Sequence, residues 1–164
     1  MGSVVKRRVP QTPDEWVQCA ARYLARCDRT AAQVERFLRG KGASPVQAKQ
    51  TIRRLFDLRY LDDCAYAVRW IQGVSARFPM GRERIKAELL ARGLSQGLVD
   101  EAINEVLQNV DEATLARQVL RLTRRKGSGF LPSRAAGLLR RRGFGEDTIE
   151  SIMSDYSRTK ERDA

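Results

Sequence analysis

Residues 81–95 read Gly81-Arg82-Glu83-Arg84-Ile85-Lys86-Ala87-Glu88-Leu89-Leu90-Ala91-Arg92-Gly93-Leu94-Ser95. Ile85 and Leu89 lie one helical turn apart, and the segment stops at a glycine. Glycine takes the left-handed C′ conformation at no steric cost, so Gly93 reads as a helix end. Ser95 then reads as the cap of a second helix. The same unit occurs twice more. Gly42, Gly93 and Gly143 are 51 and 50 residues apart. Each follows a basic residue (Lys41, Arg92, Arg142), and a leucine stands four residues before each (Leu38, Leu89, Leu139). Eight before are Val34, Ile85 and Ala135, and one after are Ala43, Leu94 and Phe144. Ten after are Ile52, Ile103 and Met153, and thirteen after are Leu55, Val106 and Tyr156. Six offsets in register, three times over, are internal repetition.

A longer helix is expected before each Gly-linked pair, over 14–27, 62–76 and 112–126. Trp16, Ala20, Tyr23, Leu24 and Cys27 form one apolar stripe, and Val99, Ala102, Ile103, Val106 and Leu107 another. No alternating stretch reads as a strand. The predicted fold is all-α: three tandem three-helix repeats, helix-turn-helix-like, in an elongated, curved array. Three helices of this length bury little alone, so neighbouring repeats are expected to stack. The expected organisation is a flexible basic arm (1–13), repeats at 14–60, 61–110 and 111–157, and a frayed tail (158–164). Asp62 or Asp63, and Asp111-Glu112, read as helix starts, where acids act as caps and dipole partners. That reading is preferred to a catalytic pair for Asp62 and Asp63.

The chain has 164 residues and a formal charge of +11, with 31 basic and 20 acidic side chains. It has no histidine, which excludes His triads, His bases and His metal sites. Cys19, Cys27 and Cys64 lack paired spacing, so neither a disulfide framework nor a zinc site is expected, and Cys19 and Cys27 read as buried hydrophobes. No secretory signal or membrane span is visible, and a cytoplasmic location is expected. Without a phosphate loop, a nucleophile–base pair or a metal cluster, the sequence points to no enzyme and no cofactor. The excess of arginine over lysine suits phosphate recognition, and it equally suits GC-rich codon usage.

Location sharpens the charge argument. Between Ala113 and Gly145 stand nine basic residues and no acidic one. Arg124-Arg125-Lys126 and Arg140-Arg141-Arg142 dominate the run. A field of this kind attracts phosphate. The expected contacts are Arg121, Arg124, Arg125, Lys126, Arg140, Arg141 and Arg142, with Arg82 and Arg84 as second choices. Duplex reading by all three repeats is disfavoured. The first offers Gln47, Lys49, Gln50, Arg53 and Arg54, but the second offers Asp100, Glu101 and Glu105, and the third Glu146, Asp147 and Glu150. Most aromatics read as core, with Phe78 and Phe130 as the expected exposed exceptions.

The Tyr60-Leu61-Asp62-Asp63 block, Ala65-Tyr66-Ala67, Gly81, and the run Arg84-Ile85, Glu88-Leu89, Arg92-Gly93-Leu94 together resemble the RecX family of recombinase regulators. The resemblance covers about residues 15–157. Cys64 and Ala65 depart from it, where the family often has a charged and a larger residue. It implies a negative regulator that binds the RecA recombinase filament on single-stranded DNA. It further implies inhibition of strand exchange, ATP hydrolysis and co-protease activity. The alternative is a stand-alone basic DNA-binding protein acting by occupancy of DNA, and duplex DNA stands beside the single strand as a candidate partner. No small-molecule substrate and no membrane partner are expected.

Overall fold

The computed structural model describes residues 9–123 and 131–162, with side chains through Asp155. Among these residues the secondary structure is helical throughout. The helices are α1 (Pro13–Leu24), α2 (Ala31–Gly40), α3 (Pro45–Asp57), α4 (Asp63–Arg77), α5 (Arg82–Ala91), α6 (Gln96–Leu107), α7 (Glu112–Thr123), α8 (Pro132–Arg141) and α9 (Glu146–Arg162).

Local chemistry sets the helix ends. Thr12, Thr30 and Ser44 each close a capping box: the hydroxyl accepts from the backbone three residues on, and the side chain there returns the bond. Gly42, Gly93 and Gly143 all have left-handed φ, at 98°, 85° and 76°. After α2 and α8 the chain makes a Schellman turn. The Ala43 and Phe144 amides donate to the Leu38 and Leu139 carbonyls, and the Gly42 and Gly143 amides to those of Arg39 and Arg140. The offsets four and eight before each glycine are core positions: Leu38, Leu89, Leu139, Val34, Ile85 and Ala135 are fully buried.

Four expectations change. The first helix ends at Leu24 instead of 27, because Thr30 must be extended to cap α2, so the chain leaves the helix beforehand. Cys27 is therefore exposed, and Cys19 half-buried. Phe56 is exposed, with Leu58 and Tyr60 beyond it, while Trp16, Tyr66 and Phe144 are core as expected. The helix α9 runs to Arg162, past the expected start of the tail. No glycine or proline interrupts that stretch. Phe78 is exposed. Residues 1–8, Arg124, Arg125, Lys126, the Gly127-Ser128-Gly129 loop, Phe130 and the Tyr156 side chain lie outside the described residues.

The chain divides into two compact units. One comprises Met1–Tyr66 with Arg92–Leu94, the other Ala67–Ala91 with Ser95–Ala164. In the first, α1, α2 and α3 enclose Trp16, Ala20, Val34, Leu38, Ala48 and Leu55. In the second, α7, α8 and α9 enclose Ala116, Val119, Leu120, Leu139, Ile149 and Ile152, and α5 packs on α6.

Each unit contains the same clasp. In the first, Thr30 Oγ1 donates to the Arg92 carbonyl at 2.7 Å, and the Ala31 amide donates to Asp63 Oδ1 at 2.9 Å. In the second, the Gly81 amide donates to the Arg142 carbonyl at 2.8 Å, and the Arg82 amide to Glu112 Oε1 at 3.2 Å. The first acid of the next repeat's opening helix thus caps the middle helix of the repeat before it. Asp62 caps its own helix by accepting from the Ala65 amide at 2.8 Å.

Candidate nucleic-acid interface

Of the basic run, Arg117 and Arg121 lie on α7 and Arg134, Arg140 and Arg141 on α8. Arg134 and Arg141 stand two turns apart on α8, so they share a face. Gly137 lies between them, and the Arg141 Nη1 is 3.6 Å from where a β-carbon there would stand, an ordinary contact. Ser133 supplies a hydroxyl, the Thr123 hydroxyl is already donated to the Val119 carbonyl at 2.8 Å, and Leu138 completes a groove of about 430 Å³. Both guanidiniums are exposed, as is Arg121 on α7. Two guanidiniums beside the Ser133 hydroxyl match a phosphodiester, since the planar fork donates in pairs to phosphate oxygens.

The other expected contacts behave differently. Arg140 is engaged by Glu146, with Nε to Oε1 at 2.6 Å and Nη2 to Oε2 at 2.9 Å. This bond holds the Glu146 carboxyl below its usual range and raises the guanidinium above its own. Arg117 pairs with Asp155 at 3.0 Å. Both carboxylates come from outside the acid-free stretch, so folding trims a field that looked uninterrupted in sequence. Arg142 is half-buried and works through its backbone, closing α8 and accepting from Gly81. Arg84 is exposed; it donates to the Arg141 carbonyl at 2.9 Å and pairs with Glu88 at 3.4 Å. Arg82 is half-buried and donates to the Leu107 carbonyl at 2.7 Å, where it caps the end of α6. Arg124, Arg125 and Lys126 lie outside the described residues. The groove thus joins Arg141 to Arg134, which the sequence reading counted in the basic run without choosing it. The signal was the seven-residue spacing across Gly137.

The acids nearby have structural work. Glu112 accepts from the Arg82 amide and from the Thr148 hydroxyl, the latter at 3.0 Å. Asp111 accepts from Thr114, amide and hydroxyl, and from the Ala113 amide, and these bonds hold its carboxyl below the ordinary value. Burial pushes the Asp63 carboxyl up, against the lowering effect of the Ala31 amide.

Comparison with known proteins follows the same outline. The model of the first RecX three-helix domain matches residues 18–55, and that of the second matches 62–103. The regulatory protein RecX of Trichlorobacter lovleyi is 32% identical over 149 residues, covering 86% of this chain and 95% of the relative. The chain belongs to the RecX family. The RecX protein of Thermobifida fusca is 30% identical over 126 residues, with 75% of this chain and 68% of the relative covered. The crystal structure of RecX from Lactobacillus salivarius shares the fold, with a TM-score of 0.69, 21% identity and coverage of 87% and 95% of the two chains. This RecX-family protein is thus a regulatory protein by kinship, with an all-helical fold. Among the described residues no helix is long and apolar enough to cross a membrane.

Proposed function

We propose that this protein is a non-enzymatic negative regulator of the RecA recombinase. It binds the RecA–single-stranded DNA filament and inhibits strand exchange, ATP hydrolysis and co-protease activity. The observation that carries this reading is the Arg134–Arg141 groove, in a chain of the RecX family with a net charge of +11. Arg134, Arg141 and Arg121 hold DNA phosphates, and Arg124, Arg125 and Lys126 extend the same basic run. Arg84 is held close to Arg141 and adds to the field. Arg140 joins only by exchanging Glu146 for a phosphate. Arg142 and Arg82 support the groove through the fold.

The test is strand exchange by RecA with increasing amounts of this protein. Inhibition at levels far below those that coat the DNA supports filament binding. Inhibition that sets in only once the DNA is coated favours the other reading, a basic protein acting by occupancy. Exposed Lys49, Gln50 and Arg53 on α3 suit that second reading.

A further inference from the structure

The first unit carries a second basic feature that the charge run did not predict. A cavity of about 660 Å³ opens beside α1 and α2, within the range of roughly 300–1,000 Å³ that holds small ligands. Tyr23 and Phe37 stack face to face in its wall, with centroids 4.0 Å apart and planes 2° from parallel. Arg22, Arg26 and Lys41 line it and are exposed. Among the described residues lining it there is no carboxylate. The Lys41 ammonium lies 5.5 Å from the Phe37 centroid, and the Arg29 guanidinium 5.1 Å from that of Tyr23. The Nε of Arg29 is buried without a hydrogen-bond partner.

A π-face ringed by cations fits one ligand chemistry better than others: a planar base joined to a phosphate. An inorganic anion needs no aromatic wall, and an apolar ligand needs no cations. We propose that this cavity takes one unstacked base of a single strand, with Phe37 as the platform. Lys41 swings on its four-carbon stem from the ring to the phosphate beside that base, and Arg22 and Arg26 hold the flanking phosphates. The proposal rests on the nucleic-acid half of the functional reading and is independent of the recombinase half.

The full chain is titrated with a short fluorescent oligothymidylate, and with an oligomer of the same length made of abasic deoxyribose phosphate. Phe37→Leu keeps an apolar side chain on the core and removes the π-face. Affinity for oligothymidylate is expected to fall about five-fold or more, with abasic affinity unchanged. Lys41→Ala is expected to flatten the salt slope by roughly 0.7, one single-strand phosphate. Bound oligothymidylate is also expected to slow alkylation of Cys19, which lines the cavity, relative to Cys64. An F37L variant that binds both oligomers like the wild type overturns the proposal, as does one that loses both equally. Equal affinity for thymidine monophosphate and the oligomer overturns the strand in favour of a free nucleotide. Protection of Cys19 by an acidic, tyrosine-bearing peptide but not by oligothymidylate overturns it in favour of a protein ligand. A chain that binds through Phe37 yet leaves strand exchange untouched sinks the recombinase role and supports this site.

Discussion

Asp63 shows how one side chain can be read correctly in type and wrongly in target. Its position at the opening of α4 marks it as a cap, and it is a cap, but for α2. Asp63→Ala removes the acceptor and should cost about 0.5–2 kcal/mol, as helix caps do. Asp63→Asn keeps an acceptor oxygen without the buried charge. Urea unfolding at neutral pH should therefore rank D63N at or above the wild type and D63A below it. Because burial raises the folded carboxyl, the folded chain binds this proton more tightly than the unfolded one. The associated stability is complete below about pH 3.9 and declines as pH rises through the folded value. Asp111 and Glu146 have the opposite sign. Their carboxyls are held low, so their contribution is present above about pH 3.9 and 4.3 and is lost as pH falls through the folded values. Acid titration of D111N should lack part of the wild type's loss of stability on the acid limb. An identical limb would mean the Thr114 bonds do not survive in solution.

At the scale of elements, the three glycines make a graded series. All sit at left-handed φ, so each substitution by alanine carries a backbone cost of roughly 1–2 kcal/mol. They differ in what the new β-carbon meets. At Gly42 it reaches Val9 Cγ1 at 3.6 Å, an ordinary contact. At Gly93 it runs into the Ala32 β-carbon, and at Gly143 into the backbone and β-carbon of Arg84. Thermal melts should therefore place G93A and G143A below G42A. Equal shifts for all three would remove the clasp from the account of stability. Leu89→Ala should cost about 2–5 kcal/mol, since Leu89 is fully buried where α5 meets α6. Of these elements, the glycine ends and the leucine stripe were legible in sequence, because C′ geometry and helical periodicity are local. The end of α1 was not. It is set by the Thr30 capping box of the next helix, and the apolar spacing of Leu24 and Cys27 carries no trace of that.

For the molecule as a whole, the prediction concerns salt. Arg134→Ala with Arg141→Ala should lower the slope of log affinity against log salt by about 1.4 for a single strand, at roughly 0.7 per phosphate lost. Arg140→Ala, whose guanidinium is already held by Glu146, should change it less. Equal effects would mean that Glu146 lets go on binding. The sequence by itself determined the helical class, the threefold repeat, the core positions and the basic run, because periodicity, glycine stereochemistry and charge count are properties of nearby residues. Only the tertiary structure decided which arginines share a groove, which are met by carboxylates, and that Tyr23 and Phe37 face a basic cavity. Those pairings join residues far apart in the chain, and the repeat offsets fix only the spacing within each helix pair. Where a clasp joins one repeat to the next, packing sets which carbonyl and which carboxylate an amide meets, and helical periodicity holds no record of it.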